Sequence, residues 1–102
     1  MKQETVGSYI RNLRVHHNMP LRKLAAALDI DQSTLSKIET NQRHATKEMI
    51  PIIAEVFSLN MKELKVKFLS EKILNEIENE EHGLDALKFV ETVITKSKSK
   101  KK

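Results

Sequence analysis

Residues 20–41 read PLRKLAAALDIDQSTLSKIETN, and this stretch decides the fold. Leu24, Ala25 and Leu28 recur at helical spacing and make one apolar face, while Leu35 and Ile38 make a second. Between the two faces lies a turn of about four residues, closed by Asp31 in the position of an N-cap. The spacing predicts a short helix, a tight turn and a second helix that begins Gln-Ser-Thr. No other segment of the chain carries so specific a pattern.

Working outward, the flanking sequence also keeps helical spacing. Val6, Ile10 and Leu13, with His17 on the same face, predict a first helix from about Val6 to Asn18, capped by Thr5. Pro20 suits the start of the second helix, where a missing N–H is not needed. The third helix follows Asp31 and ends at Asn41, a residue that tolerates the left-handed conformation. Thr46 is the expected cap of a fourth helix with Met49, Ile50, Ile53, Ala54 and Phe57 inward; Pro51 requires that helix to start nearer the proline or to bend. Asn60-Met61-Lys62-Glu63 reads as a capping box opening a long helix. Leu64, Phe68, Leu69, Ile73 and Ile77 carry it toward Glu81, with Gly83 expected to stop it. Leu84, Leu87, Val90, Val93 and Ile94 stripe a last helix starting at Gly83 or Asp85, and residues 96–102 are expected to be a disordered basic tail.

Composition agrees with an all-α class. The 102 residues include only two glycines and two prolines, and aromatics are 4%, so the core must be aliphatic. The absence of cysteine removes disulfides and zinc-thiolate sites and suits a reducing cytoplasm. No run approaches the ~18 apolar residues of a membrane span, and MKQETVGSYI lacks a signal-peptide core. A cytoplasmic or nucleoid location without membrane contact is the expectation. Net charge is +4, but its distribution matters more. Residues 1–69 hold 11 Lys and Arg against seven Asp and Glu; residues 70–95 hold two against seven. The last seven residues hold five lysines and no acid. The organisation expected is a helix-turn-helix domain over 1–69, a helical extension over 70–95 and the tail.

The stretch from Val6 to Leu64 resembles the Xre family, the lambda-repressor and Cro-like helix-turn-helix domains. The residues that carry the likeness are Val6, Ile10, Arg11, Leu13 and Arg14; Leu24, Ala25, Leu28 and Ile30; the run QSTLSKIE from Gln32 to Glu39; and Ile53, Ala54, Phe57, Leu59 and Leu64. The resemblance covers about three-fifths of the chain and implies a five-helix bundle that binds double-stranded DNA as a two-fold dimer. There are departures. Pro20-Leu21 stands where the family has Thr or Ser followed by Gln, and Thr40-Asn41 replaces the usual Arg-Gly. Residues 65–95 extend past the end of minimal members.

What the resemblance implies is residue-specific. Gln32, Ser33 and Lys37 fall on the family's base-reading positions, with Ser36 beside them. Gln can make two bonds to adenine, Lys donates to guanine O6 and N7, and Ser serves either. Arg22, Thr34, Thr40, Asn41, Arg43, His44 and Lys47 are the phosphate candidates. Arg14 and Glu39 correspond to an ion pair tying the first helix to the recognition helix, with Arg14 also within reach of a phosphate. In the extension, Ile73, Leu74, Ile77, Leu84, Leu87, Val90 and Ile94 are the dimerisation candidates, unless the last two helices cover one another.

No metal or cofactor is expected. His16 and His17 are adjacent and point about 100° apart on a helix, His44 belongs to the basic loop, and His82 suits a helix end. No glycine-rich phosphate loop or nucleophile relay points to an enzyme. The function expected is a sequence-specific transcriptional regulator, a repressor or autoregulator on an inverted repeat. The alternatives are an antitoxin or restriction–modification controller that engages a partner protein through the extension, and a protein-interaction module reusing the fold.

Overall fold

The computed structural model describes residues 4–100, and the described residues contain six helices and no strand. These are α1 (Val6–His16), α2 (Leu21–Leu28), α3 (Gln32–Glu39), α4 (Met49–Val56), α5 (Met61–Ile77) and α6 (Gly83–Lys100). The chain falls into two compact units, the division lying within α5 between Glu71 and Lys72. No helix among the described residues is long and apolar enough to cross a membrane.

The first unit has an aliphatic core. Val6, Ile10, Leu24, Ala25, Leu28, Leu35, Ile38, Ile50, Ile53, Ala54, Phe57, Leu64 and Phe68 are all buried. Thus both apolar faces of residues 20–41 turn inward, and α3 packs on α1 and α2 while α2 packs on α4. Two carboxylic or hydroxyl groups begin α1: the Thr5 hydroxyl accepts from Ser8 N–H at 3.1 Å, and the Glu71 carboxylate accepts from Val6 N–H. An acid at a helix start also meets the favourable end of its dipole.

Four of the six helices stop in the same way. Asn18, Asp29, Asn41 and Ser58 each adopt a positive φ of 52–65° just past α1, α2, α3 and α4. The two reverse hydrogen bonds of a Schellman motif follow each time, as in Asn41 N–H to Ile38 O (3.2 Å) and Gln42 N–H to Lys37 O (2.8 Å). None of the four is glycine. A side chain in that conformation costs about 1–2 kcal/mol, less for Asn and Asp than for Ser. Ser58→Gly is therefore expected to raise stability by about 1 kcal/mol in urea titration, since Ser58 is exposed and its side chain makes no hydrogen bond among the described residues.

Within the first unit the ends of α1 and α3 and the start of α4 differ from the sequence expectation, α3 closing at Glu39 rather than Asn41. α1 ends at His16, because Asn18 turns left-handed. His17, expected on the apolar face, is exposed, although its ring lies 5.1 Å from that of Phe57. Thr46 does not cap α4, which starts at Met49 after a turn closed by Met49 N–H to Thr46 O. Pro51 then sits in the first turn, where its missing N–H breaks nothing. Asn60 does open α5, accepting from Glu63 N–H at 2.9 Å.

The second unit departs most. α5 ends at Ile77 rather than near Glu81, so Gly83 does not stop it, while Gly83 does open α6, one of the two expected starts. Glu76, Glu78, Glu80 and Glu81 crowd a region where a helix C-terminus disfavours anions. The turn closes tightly: a Cβ on Gly83 would collide with the Ile77 carbonyl oxygen, so the glycine is required for close approach. α6 then continues through the lysine-rich stretch to Lys100, where disorder was expected. No glycine or proline interrupts it, and lysine is a good helix former. Lys101 and Lys102 lie outside the described residues.

Candidate nucleic-acid interface

The exposed surface of α3 is fixed by how the helix is anchored. At its start the Asp31 carboxylate accepts from Thr34 N–H at 2.7 Å, so the first turn does not fray. Leu35 and Ile38 are fully buried and orient the helix about its axis. Gln32, Ser33, Ser36 and Lys37 are then left on the outer side, all four exposed. Gln32 with Ser36 and Ser33 with Lys37 are i, i+4 neighbours, so the four form one polar strip at the N-terminal and middle turns.

The end of α3 leads into a loop of exposed polar groups. Asn41, Arg43, His44 and Lys47 are all exposed, as are Thr40 and, on the first turn of α2, Arg22. Thr34 is half-buried. The Thr40 hydroxyl donates to Ser36 O at 2.9 Å and accepts from Gln42 Nε2 at 2.9 Å, so it braces the helix end as well as facing solvent. Gln42 is a residue that sequence reading passed over. It stands exposed between Asn41 and Arg43, and membership of that loop was the signal that could have found it.

Arg14 and Glu39 form the lock between α1 and the end of α3. Arg14 Nε donates to Glu39 Oε2 at 2.8 Å and Nη2 to Oε1 at 3.0 Å, a two-point pair, while Nη1 donates to Met19 O at 2.9 Å. The Glu39 side chain is only 3% exposed and that of Arg14 14%. The hydrogen bond to Glu39 and the attraction of its charge raise the Arg14 pKa against an opposing desolvation. These three N–H contacts point inward, which makes Arg14 a structural group first. Gly7 was also missed: it is buried where α1 crosses the end of α3, and a Cβ there would strike the Ile38 carbonyl oxygen and Asn41 Oδ1.

Electrostatics at the start of α3 give a pH dependence. The Asp31 carboxyl is held below its ordinary pKa by the Thr34 hydrogen bonds and by the positive charges of Lys37 and Arg43. A carboxyl with a depressed folded-state pKa contributes stability that is present above its unfolded value and is lost as pH falls through the folded one. The wild type should therefore lose stability below the ordinary carboxylate range relative to Asp31→Asn, which caps without titrating. Paired thermal melts across acid pH measure the difference, and parallel curves would remove Asp31 from the acid response.

His44 lies in the loop after α3, His16 and His17 at the end of α1, and His82 just before α6. His16 and His17 lie edge to face at 5.8 Å, and His17 Nδ1 is 2.8 Å from Leu13 O. Among the described residues no three His, Cys, Asp or Glu gather as a metal site.

Comparison with curated proteins and with solved structures gives no match. A family model described as helix-turn-helix matches residues 10–64, from the middle of α1 to the first turn of α5. That span is more than half of the chain and contains the anchored α2–α3 pair, its polar strip and its lock. The chain belongs to the helix-turn-helix family of Xre and lambda-repressor-like DNA-binding regulators.

Proposed function

We propose that this DNA-binding protein is a sequence-specific transcriptional regulator that represses, in the first instance its own promoter, by binding an inverted repeat as a homodimer. The observation that carries the reading is the exposed strip Gln32, Ser33, Ser36 and Lys37 on a helix whose opposite side is fully buried. α3 enters the major groove with the strip against base edges. Arg22, Thr34, Thr40, Asn41, Arg43, His44 and Lys47 take the flanking phosphates and set its register. The protein works by occupancy in the cytoplasm or nucleoid and carries out no reaction.

Dimerisation belongs to the second unit. Ile73, Leu74, Leu84, Leu87, Phe89, Val90, Val93 and Ile94 are between 38% and 70% exposed, and Ile77 is half-buried, so the second unit leaves its apolar residues largely uncovered within one chain. The same face supports a second reading, in which an antitoxin or restriction–modification controller engages a partner protein there.

Selection of bound duplexes from a random pool at near-physiological salt, followed by sequencing, tests the proposal. An inverted repeat is expected, its half-site spacing set by the dimer. Recovery of no motif, with weak salt-sensitive binding alone, would sink the sequence-specific reading and favour the protein-binding one.

A further inference from the structure

Resting on the dimeric reading above, we infer that the second unit pairs with a second copy of itself in antiparallel fashion, each α6 running against the other about a two-fold axis near Val90. Three observations lead there. The first is the seam. Leu87, Val90 and Ile94 repeat at spacings of three and four, with Val93 and Phe89 beside them, and all are exposed. The second is the isolation of α6. Apart from Gly83 it has no buried residue among those described, whereas helices in proteins draw most of their stability from packing an apolar face. Its 18 residues span about 27 Å, long enough for a two-stranded seam.

The third observation chooses the direction. Between Ile73 and Leu87 the unit has five acids, Glu76, Glu78, Glu80, Glu81 and Asp85, and no lysine or arginine. At the opposite end, residues 96–102 have five lysines and no acid. The unit is therefore bipolar, acidic at the turn and basic at the C-terminal end. Parallel pairing would set lysine end beside lysine end and acidic turn beside acidic turn. Antiparallel pairing sets each lysine end beside the partner's acidic turn, twice over, by the symmetry of a two-fold contact. The apolar seam supplies the association and the charges supply its direction.

The chain has no cysteine, so introduced thiols report cleanly. The full-length variants Glu81→Cys, Lys98→Cys and Val90→Cys are prepared, each checked for dimerisation by sedimentation equilibrium and treated with a short bismaleimide. Val90→Cys should crosslink to itself. Glu81→Cys and Lys98→Cys should each stay largely uncrosslinked alone and give a mixed covalent dimer when combined. Separately, Lys96→Glu with Lys98→Glu should weaken the dimer roughly tenfold at low salt, and adding Glu80→Lys with Glu81→Lys should restore it. Dimers in which Glu81→Cys and Lys98→Cys crosslink each to itself overturn the antiparallel arrangement and leave the dimeric reading standing. Dimers in which Val90→Cys fails to crosslink overturn α6 as the seam. A wild-type chain that stays monomeric at every concentration overturns the dimeric reading itself.

Discussion

Arg14→Ala is expected to lower the free energy of unfolding by about 3–5 kcal/mol, the range for removing one partner of a buried ion pair. The reason lies with Glu39 more than with the lost attraction. Its carboxylate is 3% exposed, and its two oxygens are held by Arg14 Nε and Nη2. Without the guanidinium that charge remains buried with no counter-ion, and desolvation that was compensated becomes a net cost. Arg14 also holds Met19 O, so the turn between α1 and α2 loses a bond in the same step. Replacing both partners, as in Arg14→Met with Glu39→Leu, should be much milder, because the orphaned charge disappears with the arginine. Urea titration of the two variants checks the difference. A loss below about 1 kcal/mol for Arg14→Ala would mean that Glu39 reaches water easily and that the pair behaves as a surface contact.

Arg14 and Glu39 are 25 positions apart, and nothing in spacing alone joins them; the family resemblance did. The first unit was legible because local signals agreed: apolar spacing, Asp31 and Asn60 as caps, and Asn41 as a left-handed stop all act within a few residues. Gly7 was not legible, since its need for a bare Cα arises from the Ile38 carbonyl of a different helix. Gly83 opens α6 as one of the two expected starts, but its expected role as the stop of α5 fails for a related reason. A glycine at the end of an apolar pattern signals a stop, yet here the pattern had ended at Ile77 and the glycine serves a close turn. The lysine-rich end has no apolar residue to pack, which by itself predicts disorder. Helix propensity with no interrupting glycine or proline carries α6 on to Lys100. Of the candidate interface, positions on α3 followed from helix geometry, whereas the bracing of Thr40 by Gln42 depended on side-chain direction that spacing does not encode.

Lys37→Ala and Arg43→Ala should differ in kind when DNA binding is measured. Both residues are exposed and positively charged, but Lys37 lies on α3 beside Ser33 while Arg43 lies in the loop after the helix. If Lys37 donates to a guanine edge, its loss costs about 1–3 kcal/mol on the preferred site, roughly 5- to 150-fold in affinity, and relaxes choice at the base it reads. On unrelated DNA the loss should be small. Arg43 neutralises a phosphate, so its removal should weaken preferred and unrelated duplexes alike and reduce the slope of log affinity against log salt by about one for each monomer bound. Neither side chain is buried, and the fold should survive both changes. Titration of each variant with the selected duplex, a base-substituted duplex and an unrelated duplex, at several salt concentrations, separates the two patterns. Equal, sequence-blind losses from both variants would remove Lys37 from the base-reading strip. Recognition would then have to rest on Gln32, Ser33 and Ser36 or on the shape of the DNA itself.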